Sequence, residues 1–251
     1  MKLTPCLEML FTELPFVERI AAVAEAGYTA AEFWGHGNKD LKAVAAASAR
    51  HGVAITSMTA CGDLVNPQKH DEAEQKLKAA IEAARGVGCE RLIVLSGNTM
   101  PGLTRCGHVK NCIAGLRRLV PLAEAAGVVL VLELLNTRVN HAGYFLDNSE
   151  DMAAILRAVD HPCAKGLYDI YHAGIMEGNL VEQIRTNIDI IGHFHAAGIP
   201  GRHELMDGEQ NYPFICRQID ALGYTGYMGL EYSPLKPSRQ SLIETRQWLS
   251  D

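Results

Sequence analysis

Six ionisable residues stand where runs of apolar residues give out. Glu133 closes Val-Val-Leu-Val-Leu and Glu231 closes Tyr-Met-Gly-Leu, so each carboxylate follows a stretch suited to burial. Asp169 and His172 lie in Leu-Tyr-Asp-Ile-Tyr-His. His193 and His195 lie in Gly-His-Phe-His, two residues apart and therefore on one face of a strand. A carboxylate taken out of water costs several kcal/mol unless it is paired, hydrogen-bonded or bound to a metal. Singly, each residue has an ordinary reading: Asp169 as a helix cap, His195 as a satisfied core histidine. Together, Glu133, Asp169, His195 and Glu231 form an oxygen-rich donor set with one nitrogen. That chemistry suits one divalent metal ion, Mn²⁺ or Mg²⁺ ahead of Co²⁺ or Zn²⁺.

These residues share a site only if the strand ends that carry them converge. Short apolar runs at Lys2–Cys6, Ala30–Trp34, Val53–Thr59, Arg91–Ser96, Val128–Leu134, Ala164–Asp169, Ile190–Ala196 and Tyr227–Glu231 read as strands. Helical periodicity fills the stretches near 14–26, 40–51, 69–87, 105–126, 149–159, 179–188, 210–222 and 239–249. Gly27, Gly52, Gly88, Gly127 and Gly223 follow helix ends, and Asn148-Ser149-Glu150-Asp151 reads as a cap with acids in the first turn. Strand and helix alternating in this way require a parallel sheet with crossover helices. Strands as continuously apolar as Arg91-Leu-Ile-Val-Leu are buried on both faces. The pattern predicts an α/β fold, a (β/α)8 TIM barrel forming a single domain over residues 1–251. A doubly wound open sheet competes, but no glycine-rich phosphate turn follows the first strand. A barrel gathers functional groups at the C-terminal ends of its strands, and strands five to eight end in the six residues above. Trp34, at the end of strand two, would wall the pocket or sit in the core.

Composition narrows the partners. Twenty-three Lys and Arg against 29 Asp and Glu give a formal charge of −6, the wrong sign for a general phosphate-binding surface. The one dense basic cluster, Arg105 to Arg118, reads as the polar face of a helix. Seven scattered cysteines with no C-x-x-C pair read as reduced thiols used as small hydrophobes. The N-terminus carries Glu8 and Glu13 and lacks the apolar core of a signal peptide, and no run approaches the ~18 apolar residues of a membrane helix. The expectation is a cytoplasmic protein that acts on a small molecule, with no nucleic acid and no membrane. A homo-oligomer is left open.

Several strings then become specific: V-L-E-L-L-N-T-R, Y-D-I-Y-H, I-M-E-G-N-L, G-H-F-H-A-A-G-I-P-G-R-H-E and Y-T-G-Y-M-G-L-E-Y-S-P. They resemble the xylose isomerase-like TIM-barrel superfamily, with the hydroxypyruvate isomerases as closest branch and the ketose 3-epimerases of the tagatose epimerase type as neighbours. The likeness is detailed from about residue 130 to 235. It implies that Glu133, Asp169, His195 and Glu231 are metal ligands, that Glu133 and Glu231 are the catalytic acid/base pair, and that His172 and Arg202 contact substrate oxygens. Two positions depart from it. His195 stands where hydroxypyruvate isomerases tend to carry Gln, and Val139 stands where hexulose epimerases carry Glu. The resemblance implies a metal-dependent isomerase that interconverts a small hydroxy-keto acid or ketose by proton transfer through an enediolate. The alternative is a ketose or keto-acid 3-epimerase with the same metal and the same two glutamates. An endonuclease IV-like repair protein with a histidine-rich multi-zinc site, and a non-catalytic sugar-binding barrel, are the remaining readings.

Overall fold

A computed structural model describes residues 1–250. In chain order the elements are β1 (Lys2–Pro5), α1 (Glu18–Glu25), β2 (Ala30–Ala31), α2 (Leu41–His51), β3 (Ala54–Ile55), β4 (Met58–Cys61), α3 (His70–Val87), β5 (Arg91–Leu95), α4 (Arg105–Ala126), β6 (Val129–Glu133), α5 (Ser149–Val159), β7 (Ala164–Asp169), α6 (Ile170–Met176), α7 (Leu180–Asn187), β8 (Ile191–Ala196), α8 (Tyr212–Ala221), β9 (Tyr227–Leu230) and α9 (Ser238–Ser250). Seven strands form one sheet in the order β1-β9-β8-β7-β6-β5-β4, every pair parallel, and β2 pairs in parallel with β3. A bridge between Cys6 and Glu32 joins the first strand to the second. Phe33 N donates to Ser57 O (3.3 Å) and Thr59 N to Trp34 O (3.0 Å), joining the second strand to the third. The ring therefore closes as the predicted barrel.

The strand expected over Val53–Thr59 is broken into β3 and β4. At the break, buried Thr56 donates through Oγ1 to Ala31 O (3.2 Å), and Ser57 Oγ donates to Glu32 Oε2 (2.9 Å), so side chains supply bonds across the gap. The second strand is also shorter than expected, and α1 begins at Glu18 beyond the Pro15 turn. Helix ends follow the sequence signals. Asn148 Oδ1 accepts from Asp151 N (2.8 Å), and Gly52, Gly88 and Gly127 close α2, α3 and α4 with φ of 65°, 71° and 69°. The Arg105–Arg118 cluster does lie along α4. Arg105 pairs with Asp147 and Asp151, and Arg118 with Asp71 and Glu74. All seven cysteines are free, and no described helix is long and apolar enough to cross a membrane.

The main apolar core lies between the strands and the surrounding helices. A second, small cluster of Ile93, Val131 and Leu167 comes from the opposite face of β5, β6 and β7, inside the barrel. Side chains alternate along a strand, so the next inward position beyond Val131 is Glu133, and beyond Leu167 it is Asp169. The buried carboxylates thus rest on an apolar floor.

Candidate active site

The inward parity of four neighbouring strands brings the predicted donors together. Asp169 on β7, His195 on β8 and Gly229 on β9 occupy one register row. Glu133 ends β6, and Glu231 follows β9, its N–H donating to Ala196 O (3.0 Å). One ligand atom from each of Glu133, Asp169, His195 and Glu231 lies within 4.8 Å of the others, and all four residues are buried. His195 Nδ1 faces Glu133 Oε1 at 3.2 Å, Glu231 Oε2 at 3.4 Å and Asp169 Oδ2 at 3.8 Å.

Asp169 combines the cap and the donor that the sequence offered as alternatives. Its Oδ1 accepts from His172 N (2.9 Å) as the N-cap of α6, while Oδ2 faces His195. This short helix had no periodic signature in the sequence. It places His172 on a first helical turn, where a strand-end residue was expected. His172 Nδ1 accepts from the backbone N–H of Asn136 (3.1 Å). A backbone amide can only donate, so the neutral ring carries its proton on Nε2, which is buried without a hydrogen-bond partner, 3.6 Å from Asp169 Oδ2. Burial holds His172 down to about 4, against the pull of Asp169 and with help from Arg202, so the ring is a neutral donor.

Arg202 lies in the loop after β8 with φ of 60°. Its Nε donates to Glu231 O (3.1 Å), its Nη2 hydrogen-bonds Glu231 Oε2, and its guanidinium sits 5.4 Å from the centre of the Tyr171 ring. The arginine is thus half committed to Glu231, and Nη1 makes no hydrogen bond among the described residues. Trp34 Nε1 donates to Glu231 Oε1 (2.5 Å) from the other side. A cavity of about 260 Å³ opens above these groups, lined by Trp34, Leu95, Glu133, His141, His172, Arg202 and Glu231 among others. Trp34 therefore does form a wall.

Charge drives the two glutamates apart. Burial pushes Glu133 up to about 7, opposed by the hydrogen bond and charge of His195 and reinforced by Glu231 and Asp169. Burial acts on Glu231 in the same sense, but His195 and Arg202, with hydrogen bonds from His195 and Trp34, hold it well below the usual carboxylate range. The surrounding carboxylates raise His195 far above an ordinary histidine despite its burial. Three carboxylates share one imidazole and one guanidinium, so the cost of burial, with a smaller share from repulsion, stays on Glu133. A divalent cation among the four donors would relieve it, and three carboxylate oxygens with one imidazole nitrogen suit such an ion. The residues fit the group.

The sequence profile of the xylose isomerase-like TIM barrel family matches residues 20–251. The chain belongs to the xylose isomerase-like TIM barrel family. Among curated members, a protein named "Putative hydroxypyruvate isomerase" from Danio rerio is 33% identical over 97% of this chain and 92% of its own length. A 2-oxo-tetronate isomerase from Cupriavidus necator is 32% identical over 91% of each chain. A crystal structure titled AP endonuclease, family 2, from Brucella melitensis superposes with a TM-score of 0.92 at 27% identity, covering 99% of both chains.

Within this family frame, the structure adds two residues that the sequence reading passed over. Glu32, just beyond β2, reaches His193 and His195 from behind the donor cluster. Its signal was available, since it interrupts Ala30-Ala31 and Phe33-Trp34 much as Glu231 ends its own apolar run. His141 lines the cavity and meets the His172 ring edge-on at 5.2 Å between centroids. It lies in a loop, where no periodicity marks it.

Proposed function

We propose that this chain is a metal-dependent isomerase of a small hydroxy-keto acid, acting by proton transfer through an enediolate. The observation that carries the reading is the convergence of four buried candidate donors, two of which, Glu133 and Glu231, line a 260 Å³ cavity that also presents Arg202 and His172. Glu133, Asp169, His195 and Glu231 would hold one divalent cation, Mn²⁺ or Mg²⁺ by donor type, which when bound offsets the negative charge that develops on the substrate oxygens. The names of the curated relatives, hydroxypyruvate isomerase and 2-oxo-tetronate isomerase, support an activity on three- and four-carbon keto acids. The cavity lies below the ~300 Å³ at which ligand pockets commonly begin, which favours substrates of that size over larger ones.

The protein's own groups divide the work. Glu133 and Glu231 face the cavity with their proton affinities set apart, the condition under which one carboxylate can take a carbon-bound proton while another group gives one back. His172 donates from Nε2 to a substrate oxygen and, being neutral, supplies no charge. Arg202 offers Nη1 to an anionic end of the substrate while its other nitrogens hold Glu231 in place. Leu95 and Leu135 give the cavity part of an apolar wall.

Two glutamates on one cavity also suit a ketose or keto-acid 3-epimerase, in which the proton leaves one face of a carbon and returns to the other. A substrate panel of C3–C6 keto acids and ketoses with Mn²⁺, Mg²⁺ and Co²⁺, run in heavy water and read by NMR, separates the two. Isomerisation moves the carbonyl, and epimerisation inverts one carbon and leaves the carbonyl in place. A panel without turnover under any of the three metals would reject both. A net charge of −6, the wrong sign for a general phosphate-binding surface, and the small cavity weigh against a nuclease reading.

A further inference from the structure

Behind the four donors lies a buried carboxylate that none of the roles above uses. Glu32 Oε2 accepts from Ser57 Oγ at 2.9 Å and lies 2.9 Å from His193 Nε2. Its other oxygen, Oε1, stands 3.2 Å from His195 Nε2 in an ion-pair contact, and both of these buried atoms lack a hydrogen-bond partner among the described residues. Each of the three donor carboxylates makes its closest approach to this ring at Nδ1, whereas Glu32 makes its own at Nε2. The two nitrogens look different ways, Nδ1 toward the three donor carboxylates and Nε2 toward Glu32. Room for this pairing comes from Gly229, where a Cβ would fall 2.1 Å from Glu32 Oε1 and 2.5 Å from His195 Cδ2.

We propose that Glu32 is a positioning residue: it accepts the Nε2–H of His195 and so turns the Nδ1 lone pair toward the cation held with Glu133, Asp169 and Glu231. This rests on the reading of those four residues as a metal site. A neutral imidazole has one N–H and one lone pair, and the partner of one nitrogen decides the state of the other. A carboxylate partner both fixes the tautomer and makes the ligating nitrogen more basic. Ser57 and His193 hold the far oxygen of Glu32, so the carboxylate cannot rotate away from His195 without losing both contacts.

Two measurements with zinc test the assignment. In the zinc-loaded wild-type protein, ¹⁵N NMR of labelled histidines is expected to find His195 protonated at Nε2 and unprotonated at Nδ1. In calorimetric titration, Glu32→Gln, which keeps the shape and removes the charge, is expected to bind zinc roughly 10- to 100-fold more weakly than wild type. A merely structural Glu32 would lower the melting temperature of the metal-free variant and leave zinc affinity at the wild-type value, and that result overturns the proposal. So does a zinc-loaded wild type with the proton on Nδ1, a result that needs no variant to fold. Failure of wild-type protein to take up zinc would reject the metal site and this role with it. Normal wild-type uptake with undiminished affinity in Glu32→Gln would reject the positioning role alone.

Discussion

At the scale of single residues, what the sequence made legible was cost. Glu133 and Glu231 could be singled out because a carboxylate after an apolar strand needs a partner, and the structure brings them within reach of the same imidazole. Glu32 obeys the same logic, yet the strands on either side of it end at Cys6 and Thr59 with no carboxylate or imidazole, so the convergence that flagged strands five to eight was missing there. His141 was illegible because its place over the cavity depends on a loop path. The two glutamates carry the first prediction. Glu133→Gln and Glu231→Gln preserve size and remove the proton acceptor, so each should lose about 10²-fold or more in kcat with the fold intact by circular dichroism. Near-normal turnover in either variant would make that residue a ligand only. Arg202 carries the second. Because its Nε and Nη2 are committed to Glu231, Arg202→Ala should disturb the glutamate as well as the substrate, lowering kcat as well as raising KM. The loss in kcat/KM should be larger for carboxylated substrates than for neutral ketoses. Arg202→Lys should rescue only in part, since a single ammonium nitrogen cannot reproduce the spread that puts Nε and Nη2 on Glu231 and leaves Nη1 for the substrate. Equal losses on acidic and neutral substrates would assign Arg202 to Glu231 alone.

At the scale of elements, periodicity found the long helices and the buried strands, and it missed what side chains decide locally. The third strand breaks where Thr56 and Ser57 bond through their hydroxyls, and α6 exists because Asp169 caps it, neither of which leaves a repeat in the sequence. The double duty of Asp169 makes a prediction at this scale. Asparagine caps helices about as well as aspartate, whereas alanine at a cap costs about 0.5–2 kcal/mol. Asp169→Asn should therefore hold the melting temperature of the metal-free protein near wild type while weakening divalent-metal affinity. Asp169→Ala should lose both. If the two variants prove equally stable without metal, the cap contributes nothing, and α6 is held by its packing alone.

At the scale of the whole molecule, the barrel was legible because its repeat is long: strand, helix and closing glycine recur through the chain, and small errors in where one element ends do not change the count. The site follows from closure, since only a ring brings the ends of β6, β7, β8 and β9 around one interior. That geometry has a thermodynamic consequence. Four donors from four different strands exist as a set only in the folded barrel, so an ion that binds them binds the native state and not the unfolded chain. At a free-metal concentration 100 times Kd the native state gains about 2.7 kcal/mol by mass action. For a chain of this length that corresponds to a rise in Tm on the order of 5–10 °C. Exhaustive chelation should accordingly lower Tm by that amount and abolish turnover, and re-addition of Mn²⁺ should restore both. Alanine in place of His195 should remove the metal-dependent part of the shift, because three like-charged carboxylates without the imidazole hold the ion less tightly. A melting temperature that ignores chelation and re-addition, in a protein that keeps full activity, would mean that the repulsion among Glu133, Asp169 and Glu231 is settled by protons, and the cation would have no place in the reaction.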